Sequence, residues 1–191
     1  MMNDKAVTSD AVGASVTASN SVSARMMAGG VYTVQCFDKD GNLKWEDKAH
    51  NLVVNEGLKD MNDKYFSGST YTAAWYLGLI TGPGASTTYA ATDTLASHAG
   101  WTEFTNYTGN RGSISFGAAT LADPSVITNG TAVQFNITGL GGTVAGAFLC
   151  SVATGTSGIL FSESDFQSPG DRAVVSGDVL NVTYQFSLDA V

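Results

Sequence analysis

A regular alternation of apolar and polar side chains runs through the C-terminal end of this chain. Its apolar positions are Leu180, Val182, Tyr184, Phe186 and Leu188. Successive side chains of a β-strand point to opposite faces, so this period of two predicts a strand with one buried face. Residues 133–137 alternate in the same way. These patterns predict a fold built mainly of β-strands.

Other short apolar runs follow one another closely along the chain. The predicted strands are residues 31–38, 43–48, 71–80, 103–107, 113–118, 132–138, 144–152, 158–163 and 179–188. Asn-Gly, Gly-Gly, Pro-Gly and Gly-Asp pairs between them are typical of tight turns. Many short strands with such turns favour a β-sandwich of jelly-roll-like type. With 43% hydrophobic residues in 191, the chain suffices for one such domain, expected over residues 31–191.

The turn at residues 38–42 (DKDGN) is predicted to join the first two strands as a hairpin. Gly41 can supply the positive φ that such a turn needs. A calcium loop is the alternative, but an EF-hand has its glycine in sixth position, whereas Gly41 would be fourth if Asp38 came first. The hairpin is therefore the favoured interpretation.

One short helix is predicted, over residues 55–66. Asn55 is the expected N-cap, and Glu56 in the first turn is favoured by the helix dipole. The apolar residues near one helix face are Leu58, Met61, Tyr65 and Phe66. We interpret that stripe as core packing rather than as a ligand site.

Two segments are candidates for contact with partners. Residues 1–30 are rich in Ala, Ser, Val and Thr and contain no aromatic residue, so we expect an extended N-terminal arm. Residues 81–97 form a long loop that opens with Gly82, Pro83 and Gly84. Loops of this length commonly have a role, and partner contact is one such role.

The charge of the chain excludes several classes of partner. The formal net charge is -8, and beyond residue 65 the only basic residues are Arg111 and Arg172. Nucleic-acid binding needs a basic surface, and so does polybasic attachment to a membrane, so neither partner is expected. Because no apolar run resembles a signal peptide or a spanning helix, we expect the protein to be made and kept in a cytoplasm.

Cys36 and Cys150 each lie in an apolar, strand-like run. Buried free thiols are the favoured interpretation, because free cysteine is among the most buried residue types. A disulfide between strands is the alternative, and it depends on their distance. Two cysteines and the distant His50 and His98 do not form a zinc-binding pattern, so we predict no metal and no cofactor.

His98 is the best single candidate for catalysis, since it follows Ser97 and has Asp93 upstream. A triad is defined by geometry rather than by sequence neighbours, however, and Ser97 lacks a Gly-x-Ser-x-Gly context. The acidic pairs that could perform acid–base chemistry are Glu46 with Asp47 and Glu163 with Asp165. They lie in or near predicted turns, where solvated carboxylates are ordinary. We therefore predict that the chain is not an enzyme and has no catalytic residues.

Three stretches in a fixed order carry a resemblance to a known family. They are residues 51–58 (NLVVNEGL) with 75–79 (WYLGL), then 93–103 (DTLASHAGWTE), then 145–149 (AGAFL), 158–162 (GILFS), 176–180 (SGDVL) and 182–184 (VTY). Together they resemble a widespread group of tailed-bacteriophage virion proteins, some of which decorate the head. The resemblance covers about residues 31–188 and leaves the arm outside.

The resemblance implies a non-enzymatic structural protein on the capsid surface of a virion, made in the cytoplasm of a host bacterium. We expect a decoration, or cement, protein that binds the major capsid protein and stabilises the head. Homo-oligomers, dimers or trimers, are expected because capsid sites occur in symmetric sets. Residues 1–30 are the first candidate for lattice contact and residues 82–97 the second.

Two other functions are left open by the sequence. A tail, fibre or adaptor component belongs to the same virion class and would differ in location and copy number. A glycan- or host-binding module belongs to a different class, in which Trp75, Trp101 and the tyrosines stack on sugar rings. The favoured interpretation of these aromatic residues is core packing.

Overall fold

The computed structural model describes residues 26–71, 74–81, 87–166 and 170–190. Within these ranges the protein is mainly β, with antiparallel pairing throughout and one helix, α1 (Asn55–Tyr65). The strands are β1 (Met26–Phe37), β2 (Leu43–Val53), β3 (Trp75–Thr81), β4 (Thr102–Phe104), β5 (Gly112–Ile114), β6 (Ser125–Thr128), β7 (Val133–Asn136), β8 (Gly142–Val144), β9 (Gly146–Cys150), β10 (Leu160–Asp165), β11 (Arg172–Val174) and β12 (Val179–Ala190).

Strand β2 joins the two layers of the fold. Its residues 43–50 pair with β1, and its residues 51–53 pair with β10. The strand order is β4-β3-β9-β10-β2-β1-β12-β6, with β5 also on β3, β7 also on β12, and β11 paired separately with β8. Side chains of β1, β7 and β12 meet those of β3 and β9 in one buried core. The mainly β prediction is confirmed in this sandwich-like form, whereas a jelly-roll order is not confirmed.

The predicted hairpin at residues 38–42 is confirmed. Gly41 has a φ of 84°, and the Asp38 amide donates to the Asn42 carbonyl at 2.9 Å. The Asp38 carboxylate accepts the amides of Asp40 at 2.9 Å and Asn42 at 2.8 Å. These backbone donors hold the carboxylate within its own turn, as in an Asx-turn.

Strand β1 begins earlier than the sequence pattern predicts. Residues 26–30, which were assigned to the arm, pair with residues 186–190 of β12. Gly29 and Gly30 have low strand propensity, so the pairing there follows the strong alternation of the partner strand. The rest of the predicted arm, residues 1–25, lies outside the described residues.

The predicted core-facing stripe of α1 is confirmed at Met61, which packs against the core, and is wrong at its other three positions. Leu58, Tyr65 and Phe66 are exposed, and the helix instead buries Gly57 and Asp60. A Cβ on Gly57 would lie 2.4 Å from the Phe161 carbonyl oxygen, so the helix approaches β10 backbone to backbone. A close approach of this kind is available to glycine, and it sets the rotation of the helix.

The start of α1 also differs from the prediction. Val54 is the N-cap, and its amide donates to the Phe161 carbonyl at 3.2 Å. Asn55 is the first helical residue, and its amide donates to the Ala91 carbonyl at 2.8 Å. The Glu56 carboxylate accepts the Leu160 amide at 2.7 Å, so the helix start is tied to β10 and to the loop before β4.

The two cysteines are buried and free. Cys36 lies in the core between the layers, whereas Cys150 belongs to a second cluster on the outer side of β9. The prediction of buried thiols is confirmed, and the disulfide alternative is wrong.

Candidate functional site

An apolar groove opens between α1 and the end of the sandwich where β1 begins. Its volume is about 210 Å³. The aromatic residues that line it are Tyr71, Trp75, Phe116, Phe161, Tyr184 and Phe186. Met61 of α1, Ile127 of β6 and Leu149 of β9 add to its apolar wall. Asp60 and Lys64 of α1, an ion pair at 3.6 Å, also line it. We call this feature the aromatic groove.

Ring contacts fix the walls of the aromatic groove. Phe161 meets Trp75 and Phe186 edge-on, with ring centroids 5.4 Å apart in both pairs. Phe116 meets Tyr184 edge-on at 6.2 Å. Edge-to-face pairs at these distances are favourable beyond the area they bury. The groove is therefore preformed by residues from several strands.

A buried polar network supports the floor of the groove. The Tyr184 hydroxyl accepts hydrogen bonds from Asn51 Nδ2 at 2.8 Å and Ser162 Oγ at 3.3 Å. The Tyr32 hydroxyl lies 2.7 Å from the same Ser162 Oγ. Burial raises the pKa of Tyr184, so its hydroxyl stays protonated. These bonds hold the ring that forms the bottom of the groove.

Large apolar side chains are exposed around the groove. Tyr65 is 83% exposed and Phe66 78% exposed, directly after the helical turn that carries Met61. Tyr71 forms part of the groove and is also exposed. Exposed apolar groups that cluster beside a groove mark interaction surfaces.

The start of β1 extends this surface. Met26 is exposed and pairs with Ala190, whose amide donates to Asp123 Oδ1 at 3.0 Å. Leu121, fully exposed, lies two residues before Asp123. The end of the molecule where β1 begins therefore combines the groove with exposed apolar residues.

A buried carboxylate lies beneath the loop of residues 87–101. Glu163 is fully buried, and its oxygens accept the Trp101 Nε1 proton at 2.8 Å and the Ala90 amide proton at 3.1 Å. Burial raises the pKa of Glu163 to about 8, and the neighbouring Asp93 adds to the rise. Burial, with the charge of Asp171, also raises the pKa of Asp165.

The loop over Glu163 is held to its own domain. Leu95 and Trp101 are buried against Ile80 and Phe148 on the outer side of the sheet. The second predicted candidate for lattice contact was residues 82–97. Its described part, residues 87–97, is held against the sheet of its own domain. Residues 82–86 lie outside the described residues.

The residues of the sequence-based triad have other partners in the structure. The His98 ring stacks on Trp101 with centroids 3.7 Å apart, and its Nδ1 lies 3.1 Å from the Trp101 carbonyl oxygen. Asp93 accepts the Ala90 amide at 3.2 Å and interacts with Glu163. The Ser97 amide donates to Thr94 Oγ1 at 3.1 Å. Each residue has a contact that stabilises the loop.

The other acidic candidates have structural partners as well. Glu46 accepts Gln35 Nε2 at 2.7 Å, and Asp47 accepts Arg172 at 2.7 Å. Among the described residues, no group of three or more His, Cys, Asp and Glu side chains is arranged to hold a metal ion. The Trp101 ring is buried, so it is not available for stacking on a sugar.

The aromatic groove is the feature that sequence reasoning missed. Its residues come from segments far apart in the chain, and their spacing gives no signal. The exposed pair Tyr65 and Phe66 was visible in the sequence, but its position on a helix with an apolar stripe indicated core packing.

Within the described ranges, no helix has the length and apolarity needed to cross a membrane. No protein-family model, no curated protein and no solved structure matches this chain.

Proposed function

We propose that this protein is a non-enzymatic structural component of a tailed-phage particle. In the preferred form it is a decoration protein that binds the major capsid protein on the outer lattice and stabilises the head. The observation that carries the proposal is the exposed apolar end of the domain, formed by the aromatic groove with Met26, Tyr65, Phe66 and Leu121. A surface of that kind is suited to permanent contact with other subunits.

The rest of the domain is consistent with a structural role. The buried ionisable groups Glu163 and Arg111 are engaged in hydrogen bonds that fasten loops to strands. His98, the best catalytic candidate, stacks on Trp101. These side chains have contacts that account for their positions without substrate chemistry.

Quantitative mass spectrometry of purified virions tests the proposal. The copy number of this protein is compared with that of the major capsid protein. A comparable number supports decoration, because lattice sites are filled in symmetric sets. A number far below it contradicts decoration and favours a tail, fibre or adaptor component. Absence from the particle overturns the structural proposal altogether.

A binding assay tests the contact surface. Capsids that lack this protein are mixed with the full chain, with a variant lacking residues 1–25, and with the pair Tyr65→Ser and Phe66→Ser. The deletion stops before Met26 because residues 26–30 belong to β1. We expect both variants to bind more weakly while keeping the β-type circular dichroism spectrum. Lys39→Ser, in the turn at the other end of β1, is the matched control and should bind normally. Equal binding by all forms counts against this surface.

A further inference from the structure

We infer that the aromatic groove receives one aromatic side chain with a hydrogen-bond donor, a tyrosine or a tryptophan, from a partner protein. The inference rests on the proposed function and deepens it, because it names the chemistry of the residue that the partner inserts. It is carried by a buried carboxylate at the groove, by the charges beside that carboxylate, and by the size and lining of the groove.

Asp60 of α1 is a buried carboxylate with unfilled capacity for hydrogen bonds. It lines the groove and is 9% exposed. Its Oδ1 lies 3.6 Å from Lys64 Nζ, which is beyond hydrogen-bond distance. Lys64 Nζ donates to the Thr70 carbonyl instead, and no described residue donates a hydrogen bond to the Asp60 carboxylate. A buried acceptor without a donor is costly, so a donor that enters the groove is favoured there.

The charges beside Asp60 favour a neutral donor. A cation from the partner would meet Lys64, whose ammonium group already lies beside the carboxylate. An anion would meet Asp60 itself, in a chain with a formal net charge of -8. A hydroxyl or an indole N–H donates without adding a charge, so it leaves the ion pair intact and avoids burying an unpaired ion.

The rest of the groove suits an aromatic ring. Apart from Asp60 and Lys64, the described residues that line it are apolar or aromatic, and edge-on contacts fix Trp75 against Phe161. Aromatic rings are attracted to further rings in edge-on or offset geometry. An apolar cavity of about 150 Å³ can hold benzene. The groove volume of about 210 Å³ therefore accommodates one aromatic side chain with a polar group.

The surroundings of the groove indicate a protein as the source of the ring. Tyr65, Phe66 and Tyr71 are exposed at the end of α1 and at the groove, where they can exclude water from an inserted side chain. Tyrosine and tryptophan are enriched among the buried anchor residues of protein interfaces. A saccharide, whose hydroxyls need many polar partners, is less well matched to this lining.

Fluorine NMR of the full chain tests the inference. Trp45, Trp75 and Trp101 are replaced by 5-fluorotryptophan, and each resonance is assigned by changing one tryptophan to phenylalanine. Trp75 lines the groove, whereas Trp45 packs on Phe166 and Trp101 is buried on the outer side of the sheet. N-acetyltyrosinamide and N-acetyltryptophanamide are titrated separately. Their donor-free counterparts are N-acetylphenylalaninamide and N-acetyl-1-methyltryptophanamide.

We expect at least one donor-bearing amide to shift the Trp75 resonance saturably and to leave those of Trp45 and Trp101 in place. It should bind about tenfold more tightly than its donor-free counterpart, which cannot donate to the carboxylate. An unmoved Trp75 resonance, or equal binding with and without the donor, would overturn the inference. Tighter binding of N-acetylargininamide or of methyl glucoside would overturn it in favour of a cation or a saccharide.

Two variants separate the carboxylate from the rings. Asp63 lies on the same helix, outside the groove, and pairs with Lys59, so Asp63→Ala is the matched control. We expect Asp60→Ala to abolish the preference for the donor-bearing amide and Asp63→Ala to retain it. Unchanged Trp45 and Trp101 resonances show that each variant is folded. A preference that survives Asp60→Ala would contradict the role of Asp60, and the comparison of amides on the unaltered chain does not depend on either variant.

Failure of the inference and failure of the proposed function give different results. The titration uses no virion, so a negative titration with a copy number near that of the major capsid protein overturns only the inference. A positive titration with absence of the protein from virions overturns the phage assignment and supports the same groove chemistry with a different partner.

Discussion

The indole Nε1 of Trp101 donates a 2.8 Å hydrogen bond to Oε2 of Glu163, a fully buried carboxylate. The same carboxylate accepts the Ala90 amide at 3.1 Å. One side chain of β10 therefore fastens both ends of the loop that covers the outer side of the sheet. Because the carboxylate is removed from water, the protonation of Glu163 is coupled to the stability of the fold.

The free energy of unfolding should fall as the pH rises from the pKa of Glu163 in the unfolded chain to its pKa in the folded protein. Burial raises the pKa of Glu163 in the folded protein to about 8, from the ordinary 4.5. The folded state therefore keeps a proton that the unfolded chain releases. The stabilisation is complete below about pH 4.5 and is lost as the pH rises through about 8, and the difference corresponds to about 5 kcal/mol.

Glu163→Gln should reduce this pH dependence. The amide NH₂ can donate to Asp93 as the protonated carboxyl does, while its oxygen still accepts one of the two hydrogen bonds. We expect the urea midpoint of the variant to change less than that of the wild type between about pH 5 and about pH 8.5. Glu46→Gln, at a more exposed carboxylate of β2, is the control and should keep the wild-type dependence. A flat wild-type profile would contradict the role of Glu163.

Arg111 should be required for the loop that follows β9. Its guanidinium binds Glu103 through Nε at 2.9 Å and Nη2 at 2.7 Å, and its Nη1 donates to the Gly155 carbonyl at 2.9 Å. Arg111→Ala leaves these acceptors without their donor and should lower the free energy of unfolding by about 3–5 kcal/mol. Arg111→Lys keeps the charge but loses the fork, so its loss should be intermediate.

Urea unfolding measures this difference, with Lys59→Ala on the exposed face of α1 as the control. The control removes an ion pair with Asp63 at the surface, which should change the free energy of unfolding by less than about 1 kcal/mol. Equal effects of Arg111→Ala and Lys59→Ala would contradict a structural role for the buried guanidinium.

Both cysteines should remain unreactive until the protein unfolds. Burial raises the pKa of the Cys36 thiol to about 11 and also raises that of Cys150, so little thiolate is present at neutral pH. A thiol reagent added without reductant should label neither residue in the native protein and both in denaturant. Labelling of neither residue in denaturant would indicate a disulfide and contradict the free thiols.

The long strands could be predicted from the sequence because the pattern that defines each of them lies within one short segment. The alternation of β12 and the Asp-Gly turn between β1 and β2 both act over a few residues. β6, β8 and β11 were missed because each has three or four residues and is defined by its partner strand. The sequence therefore predicted the fold class more closely than the strand order.

The aromatic groove and the rotation of α1 depend on contacts between distant residues. Gly57 fixes the helix through Phe161, more than a hundred positions away, and no periodicity records that approach. No periodicity records the contact between Glu163 and Trp101 either, because Glu163 lies in β10 and Trp101 lies in the loop before β4. The available sequence signal was a glutamate, Glu163, at the end of a predicted strand. Because that position also lies near a predicted turn, the sequence analysis interpreted Glu163 as a solvated carboxylate.

Gly78 should be intolerant of any side chain because Phe148 of β9 covers it. A Cβ on Gly78 would lie 2.3 Å from the Phe148 ring, which also packs on Trp101 at 5.1 Å. Gly78→Ala should therefore lower the free energy of unfolding by about 1–3 kcal/mol through overpacking. In the double variant, Phe148→Leu removes the ring from that space. The sum of the losses of the two single variants in the free energy of unfolding should therefore exceed the loss of the double variant. Gly29→Ala, where a Cβ meets nothing within 4 Å, is the control and should be close to neutral. Strict additivity of Gly78→Ala and Phe148→Leu in urea unfolding would show that the ring is not what excludes the methyl group.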